Sequence, residues 1–323
     1  MKPFFFEPIY KTTIWGGQEI IRLKHIDQAP ENIGESWEIS GVPGNETPVV
    51  DGLDSGLTLT ALIEKYGADF VGRKNLERYG TTFPLLIKFI SAAQDLSIQV
   101  HPDDQMAQRM GHPYGKTEMW YILSGGPGST LYAGFKEQIT PDDYERRLAD
   151  GTFLATLQQH TTAAGDCFFI PAGRIHSIGA DNFLVEIQQS SNDTFRVYDF
   201  DRTDAQGNRR ELHVEQAREA LDFADLDARK QTYEPAMNRR VTLVESSAFT
   251  TSSYTLDQPL CADYKDIDSF VILIAHEGRA RCTDHEGNAF FLSAGESVLL
   301  PATTESLTIE PEGRFACIET CIP

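Results

Sequence analysis

The sequence predicts a mainly β protein of two barrel-like units with a few helical insertions, and three observations carry that expectation. Along most of the chain, short runs of β-branched and aromatic residues are separated by Gly, Pro, Asn and Asp, the pattern of sandwiches and barrels. Helical periodicity is confined to three stretches. One β-unit is written twice, as GDCFFIPA at 165–172 and GESVLLPA at 295–302, a spacing of 130 residues. Each copy is an acidic turn, an apolar strand and a Pro-Ala turn. At 323 residues the chain also exceeds the size, about 250 to 300 residues, at which a single core stops growing. A first unit over 1–232 and a second over 233–323 are therefore expected.

In chain order, the expected strands are PLLIKFI (84–90), LSIQVH (96–101), EMWYIL (118–123), CFFI (167–170), FLVEI (183–187), SFVILIA (269–275), SVLL (297–300) and FACIE (315–319). The helical stretches are 58–78, 140–159 and 213–229, the second with Thr140 as N-cap before Pro141 at the first helical position. In LSIQVH the period of two sends Leu96, Ile98 and Val100 to one side and Ser97, Gln99 and His101 to the other. After the first Pro-Ala turn the chain reads GRIH, ending in His176; after the second it reads TTES, ending in Ser306. That asymmetry implies one working site and one structural copy.

Composition excludes several classes. With 41% hydrophobic and 24% charged residues and no low-complexity tract, the chain is globular rather than disordered. The opening MKPFFFEPIYKTTIWGG is too broken by Pro and Glu for a signal peptide, and no stretch reaches the roughly 18 apolar residues of a membrane span. A cytoplasmic location without membrane attachment is expected. Five cysteines without a CxxC pair indicate buried thiols, not a disulfide framework or a cysteine zinc site. A net charge of −20 argues against nucleic acid as a partner. A small anion remains possible where a few local cations reverse the field.

Candidate chemistry collects around His176. EMWYIL opens with Glu118, and Lys116 precedes it at the same parity. Gln99, His101, Glu118 and His176 together offer two nitrogens and two oxygens to a divalent metal, with room left for water or substrate. Gly165, Pro171, Gly173 and His176 fit G-x5-P-x-G-x2-H, and Glu118 with Gly125 fits E-x6-G. These two motifs resemble those of the cupin superfamily, a small jelly-roll β-barrel with a metal at its inner face. Three departures from the general pattern stand out. Gln99 occupies the place where H-x-H usually begins, sixteen residues separate His101 from Glu118, and Ala180 replaces an Asn.

A narrower resemblance accounts for the departures. KFISAAQDLSIQVHPDD (88–104), GKTEMWYIL (115–123) and EIQQSSNDTFRVYDFDR (186–202), with PIYKTTIWGG (8–17) and GESWEIS (34–40), resemble type I phosphomannose isomerase in its compact bacterial form. The resemblance implies two cupin-like barrels, the second degenerate. It also implies a metal-dependent aldose–ketose isomerase that moves a proton between C1 and C2 of mannose 6-phosphate and fructose 6-phosphate. It assigns Gln99, His101, Glu118 and His176 to one Zn²⁺ per chain, although Mn²⁺, Co²⁺ or Fe²⁺ suit the same donors. It assigns Arg196, Lys116 and Glu186 to catalysis, and Lys88 and Ser97 to the phosphate end of a sugar-phosphate substrate. Asn192 stands where relatives often have Asp, with Asp193 beside it. Trp37 reads as core, and Glu35 as a residue that could edge the pocket. A monomer or a homodimer fits. Two alternatives stay open at this point: another metal-dependent cupin enzyme acting on sugar phosphates, and a non-catalytic sugar-binding bicupin.

Overall fold

The computed structural model describes residues 1–27, 30–203, 206–226 and 230–323. Each unit is a pair of facing antiparallel sheets, the jelly-roll arrangement expected. In the first unit a six-stranded sheet runs in the order Ile9–Gly17, Ile33–Ser40, Leu85–Ala92, Asn182–Gln189, Glu118–Gly125, Cys167–Ile170. It faces a five-stranded sheet, Phe195–Tyr198, Ile98–Val100, His176–Ile178, Thr130–Phe135, Leu157–Thr161. Ile90, Trp120 and Phe168 from one sheet and Leu131, Ala133 and Ile178 from the other fill the space between them. The second unit repeats the plan with six and four strands around Leu273, Cys282, Leu307 and Cys317.

PLLIKFI shows no alternation of polar and apolar residues because both faces of its strand are buried. Leu85, Ile87 and Phe89 join a core that also holds Phe249, Phe270, Ile272 and Ile318 of the second unit, while Leu86, Lys88 and Ile90 face into the first unit. The two six-stranded sheets thus pack back to back, and a buried face on each side removes the selection for polar residues. The N-terminal strand Phe4–Phe5 pairs with Ser297–Leu300, so the start of the chain lies in the second unit's sheet. Asp268 adds a polar tie across the units: its carboxylate accepts from the backbone N–H groups of Arg73 and Lys74 at a helix start.

All three expected helices are shorter than their periodicity suggested. The stretch 58–78 is three helices, Leu59–Tyr66, Ala68–Val71 and Arg73–Tyr79, broken at Gly67 and Gly72, whose φ values are 55° and 92°. The stretch 140–159 is helical only over Pro141–Ala149; a 3-10 turn, Phe153–Thr156, and the strand Leu157–Thr161 follow. The third stretch is helical over Val214–Ala220, and residues 227–229 of it lie outside the described residues. Thr140 caps as expected, accepting from Asp143 N in a capping box. Thr140→Ala is expected to cost about 1 kcal/mol in urea unfolding. Four cysteines are buried, but Cys261 is exposed, because its strand is a sheet edge with one face in solvent.

Burial at the junction of the units holds His276, packed 5.6 Å from the Tyr121 ring, in its neutral form and pushes its pKa from 6.5 to about 4. Between these values the unfolded chain binds a proton that the native protein does not. Stability is therefore complete above pH 6.5 and falls as the pH drops toward 4. His276→Gln should make urea unfolding less sensitive to pH across that window.

Candidate metal centre and active-site cleft

The interior face of the first unit brings the polar residues together. On Ile98–Val100 the apolar residues enter the cores, leaving Ser97, Gln99 and His101 on the opposite side. Gln99 lies directly across the sheet from both His176 and Arg196. Glu118 opens its strand opposite Ile170, and Glu186 sits between Lys88 and Trp120 on the two neighbouring strands.

His101, Glu118 and His176 are fully buried, and their donor atoms lie within 4.8 Å of one another. His101 Nε2 is 3.3 Å from one Glu118 oxygen, His176 Nε2 is 3.4 Å from the other, and the two Nε2 atoms are 3.1 Å apart. The outer ring nitrogens settle the tautomers. His101 Nδ1 is 2.8 Å from the Asp193 carbonyl, and His176 Nδ1 is 2.8 Å from the Arg174 carbonyl. A carbonyl only accepts, so both protons sit on Nδ1 and both Nε2 lone pairs point inward. Burial, reinforced at His101 by Lys116, holds both rings neutral, with His101 pushed down to about 4.

Neither Glu118 oxygen accepts a well-formed hydrogen bond, although Lys116 Nζ lies 2.9 Å away. Burial opposes its charge, but the Lys116 ammonium beside it outweighs that and holds the carboxyl well below the usual range. Two bare imidazole nitrogens and an under-satisfied carboxylate at this spacing fit a divalent cation. Gln99 joins them with its amide nitrogen 3.4 Å from His176 Nε2, while its oxygen accepts from Ser97 Oγ at 3.2 Å. Ligation through the oxygen requires the amide to turn over, which Ser97 permits because a hydroxyl both donates and accepts.

A cleft of about 520 Å³ opens over this cluster, lined by Lys88, Ser97, Gln99, Lys116, Glu186 and Arg196 among others. Every residue expected at the site from the sequence therefore lies in the buried cluster or on the cleft wall. Lys88 is buried with Nζ 3.0 Å from Glu186 and 3.5 Å from Glu35. Burial works against its charge, but the two carboxylates outweigh that and raise its pKa. Trp120 Nε1 donates to the other Glu186 oxygen at 3.1 Å.

Glu35, expected as a residue that could edge the pocket, does line the cleft, where it contacts Lys88 and accepts from Trp37 Nε1 at 2.6 Å. Two lining residues were not expected, Thr13 and Arg210. Arg210 lies in an irregular connection with no periodicity to place it.

The second unit holds no such cluster among the described residues. His176 pairs with Gln99 in the first unit, and Leu307 pairs with Ala262 in the second. Leu307, not Ser306, is the inward residue there. The first turn passes through Gly173 at φ 86°, the second has Thr303 at that place, and the following strand enters one residue out of phase. Ala262, Tyr264, Val271 and Leu307 thus stand where the first unit has Gln99, His101, Glu118 and His176. Glu319, opposite Leu273 as Glu186 is opposite Trp120, is sealed by Tyr254, Tyr264 and Arg240 at 3.0, 2.6 and 2.6 Å.

Fold and site together define a bicupin with a single candidate metal centre among the described residues, in its first unit. The type I phosphomannose isomerase catalytic domain matches residues 4–121, and the mannose-6-phosphate isomerase cupin domain matches residues 239–320. The chain is 31% identical to the mannose-6-phosphate isomerase ManA of Bacillus subtilis over 98% of both chains. It is also 31% identical to the mannose-6-phosphate isomerase of Streptococcus mutans over 94% of each. The crystal structure of the Bacillus subtilis mannose 6-phosphate isomerase superposes with a TM-score of 0.88 at 28% identity, covering 99% of both chains. A mannosephosphate isomerase-like structure from Archaeoglobus fulgidus, at 24% identity and a TM-score of 0.78 over 98% of this chain and 96% of that one, shares the fold. The chain belongs to the type I phosphomannose isomerase family.

Proposed function

We propose that the protein is a mannose-6-phosphate isomerase whose buried His101, Glu118 and His176, with Gln99, hold one catalytic Zn²⁺. The observation that carries this reading is the convergence of inward Nε2 lone pairs and an under-satisfied carboxylate beneath a cleft that also presents Arg196 and Lys116. Family membership fixes the reaction class, and neither another cupin chemistry nor a non-catalytic sugar-binding role accounts for it.

Aldose–ketose isomerisation shifts a proton between C1 and C2 while negative charge builds on the sugar oxygens. When bound, the divalent cation supplies Lewis acidity at those oxygens. Arg196, across the sheet from Gln99, adds a permanent positive charge to the cleft in which that charge develops. Lys88 remains protonated between two carboxylates, so it orients hydroxyl groups and does not act as a base. Glu186, held by Trp120 and Lys88, is the fixed carboxylate placed to take and return the proton. Lys116 shares its contacts with the candidate metal ligands, reaching His101 Nε2 at 3.1 Å. With a cation held by those ligands, the Lys116 ammonium would be available to a substrate hydroxyl. Ser97 stands beside Gln99 at the wall.

Among the described residues no helix is long and apolar enough to cross a membrane; the isomerase reading makes this a cytoplasmic enzyme, monomeric or homodimeric. A coupled assay of the purified protein with mannose 6-phosphate and, in reverse, fructose 6-phosphate should show turnover in both directions. No interconversion by the zinc-loaded protein would refute the reading.

A further inference from the structure

Four cations line the cleft, and they are not equally committed. Lys88 is buried between Glu186 and Glu35, and Lys116 lies against Glu118. A phosphate dianion brought to either ammonium would meet those carboxylates at close range, at a cost that grows in a low-dielectric interior. Arg196 is different: among the described residues no carboxylate lies within ion-pair distance. Its Nη1 donates to the Glu211 carbonyl at 2.8 Å, and its buried Nε donates to nothing. Arg210 is held by a two-point fork on Asp199, with Nε 2.7 Å from Oδ2.

Asp199 serves Arg202 as well. Beside Arg196, the guanidiniums of Arg202 and Arg210 thus share one carboxylate, whereas Lys88 and Lys116 are set against Glu35, Glu118 and Glu186. Burial and then the neighbouring charge of Arg210 weaken proton binding at Arg196, which reports like charges held close together. Thr12, Thr13, Asn192 and Thr194 complete this part of the wall, and Thr13 Oγ1 is buried without a partner.

Resting on the isomerase reading, we propose that Arg210 and Arg196 form the cradle for the substrate phosphate, with Asp199 as the positioning residue and Lys88 turned to sugar hydroxyls. Planar guanidiniums match a phosphate with paired N–H donors, which a lysine cannot do. In a chain of net charge −20, this is the local positive field that a phosphorylated sugar requires.

Calorimetric titration of inorganic phosphate into the zinc-loaded protein tests the cradle independently of turnover, alongside kinetics with mannose 6-phosphate. Arg210→Gln should weaken phosphate binding and raise KM by about tenfold or more, the loss of one charge-assisted pair, with a smaller fall in kcat. Arg210→Lys should recover part of the affinity. Phosphate affinity and KM within about twofold of wild type in Arg210→Gln would overturn the proposal. Should Arg210→Gln fail to fold, Arg210→Lys decides: weakened phosphate binding supports the cradle, and wild-type affinity overturns it. Wild-type protein that binds phosphate through Arg210 but isomerises neither sugar phosphate would remove the isomerase reading and leave the anion site standing.

Discussion

His176→Ala is expected to lower kcat by roughly 10³-fold and to reduce bound metal well below one ion per chain, since a bound Lewis acid supplies several kcal/mol to such a transition state. The ring is fully buried, with its Nδ1 proton committed to the Arg174 carbonyl and its Nε2 facing Glu118 and His101. Removing it leaves Glu118 with one imidazole partner instead of two. Metal analysis of the purified variant and single-substrate kinetics check the two halves separately. A variant that retains a full equivalent of metal and near-normal turnover would show that His176 is a satisfied core histidine.

Arg196→Ala should lower kcat by on the order of 10², the usual consequence of deleting one group that stabilises developing charge. Metal content should be unchanged, because the guanidinium contacts a backbone carbonyl and no candidate ligand side chain. KM should rise as well, because Arg196 shares the substrate phosphate. The separation from His176→Ala is the informative point: one variant loses metal and rate together, the other loses rate with its metal intact. Near-normal kcat in Arg196→Ala would remove this residue from the mechanism.

Much of this arrangement was legible in the sequence because its strands have one specialised face. LSIQVH alternates from Ser97 onward, since Ile98 and Val100 pack under helices while Ser97, Gln99 and His101 turn to the interior; Leu96, expected beside Ile98 and Val100, lies before the strand and packs instead with Trp15, Ile90 and Ile178 at the cleft. PLLIKFI does not alternate, because the second unit covers its outer face, and Lys88 there looks like a strand-end lysine until Glu35 and Glu186 are seen around it. Such long-range pairing leaves no local trace. Periodicity also overran the helices: a pattern of apolar residues does not register that Gly67 and Gly72 adopt positive φ and break the helix twice. The Ser306 correspondence failed for a related reason, since the paired Pro-Ala turns hide a phase shift set by a single glycine.

Metal stoichiometry and isomerase turnover measured on one sample through chelation and reconstitution test the central claim most directly. The expected result is one divalent ion per chain, loss of mannose 6-phosphate isomerisation on its removal, and recovery as one equivalent of Zn²⁺ is returned. Full turnover by protein stripped of metal would contradict it.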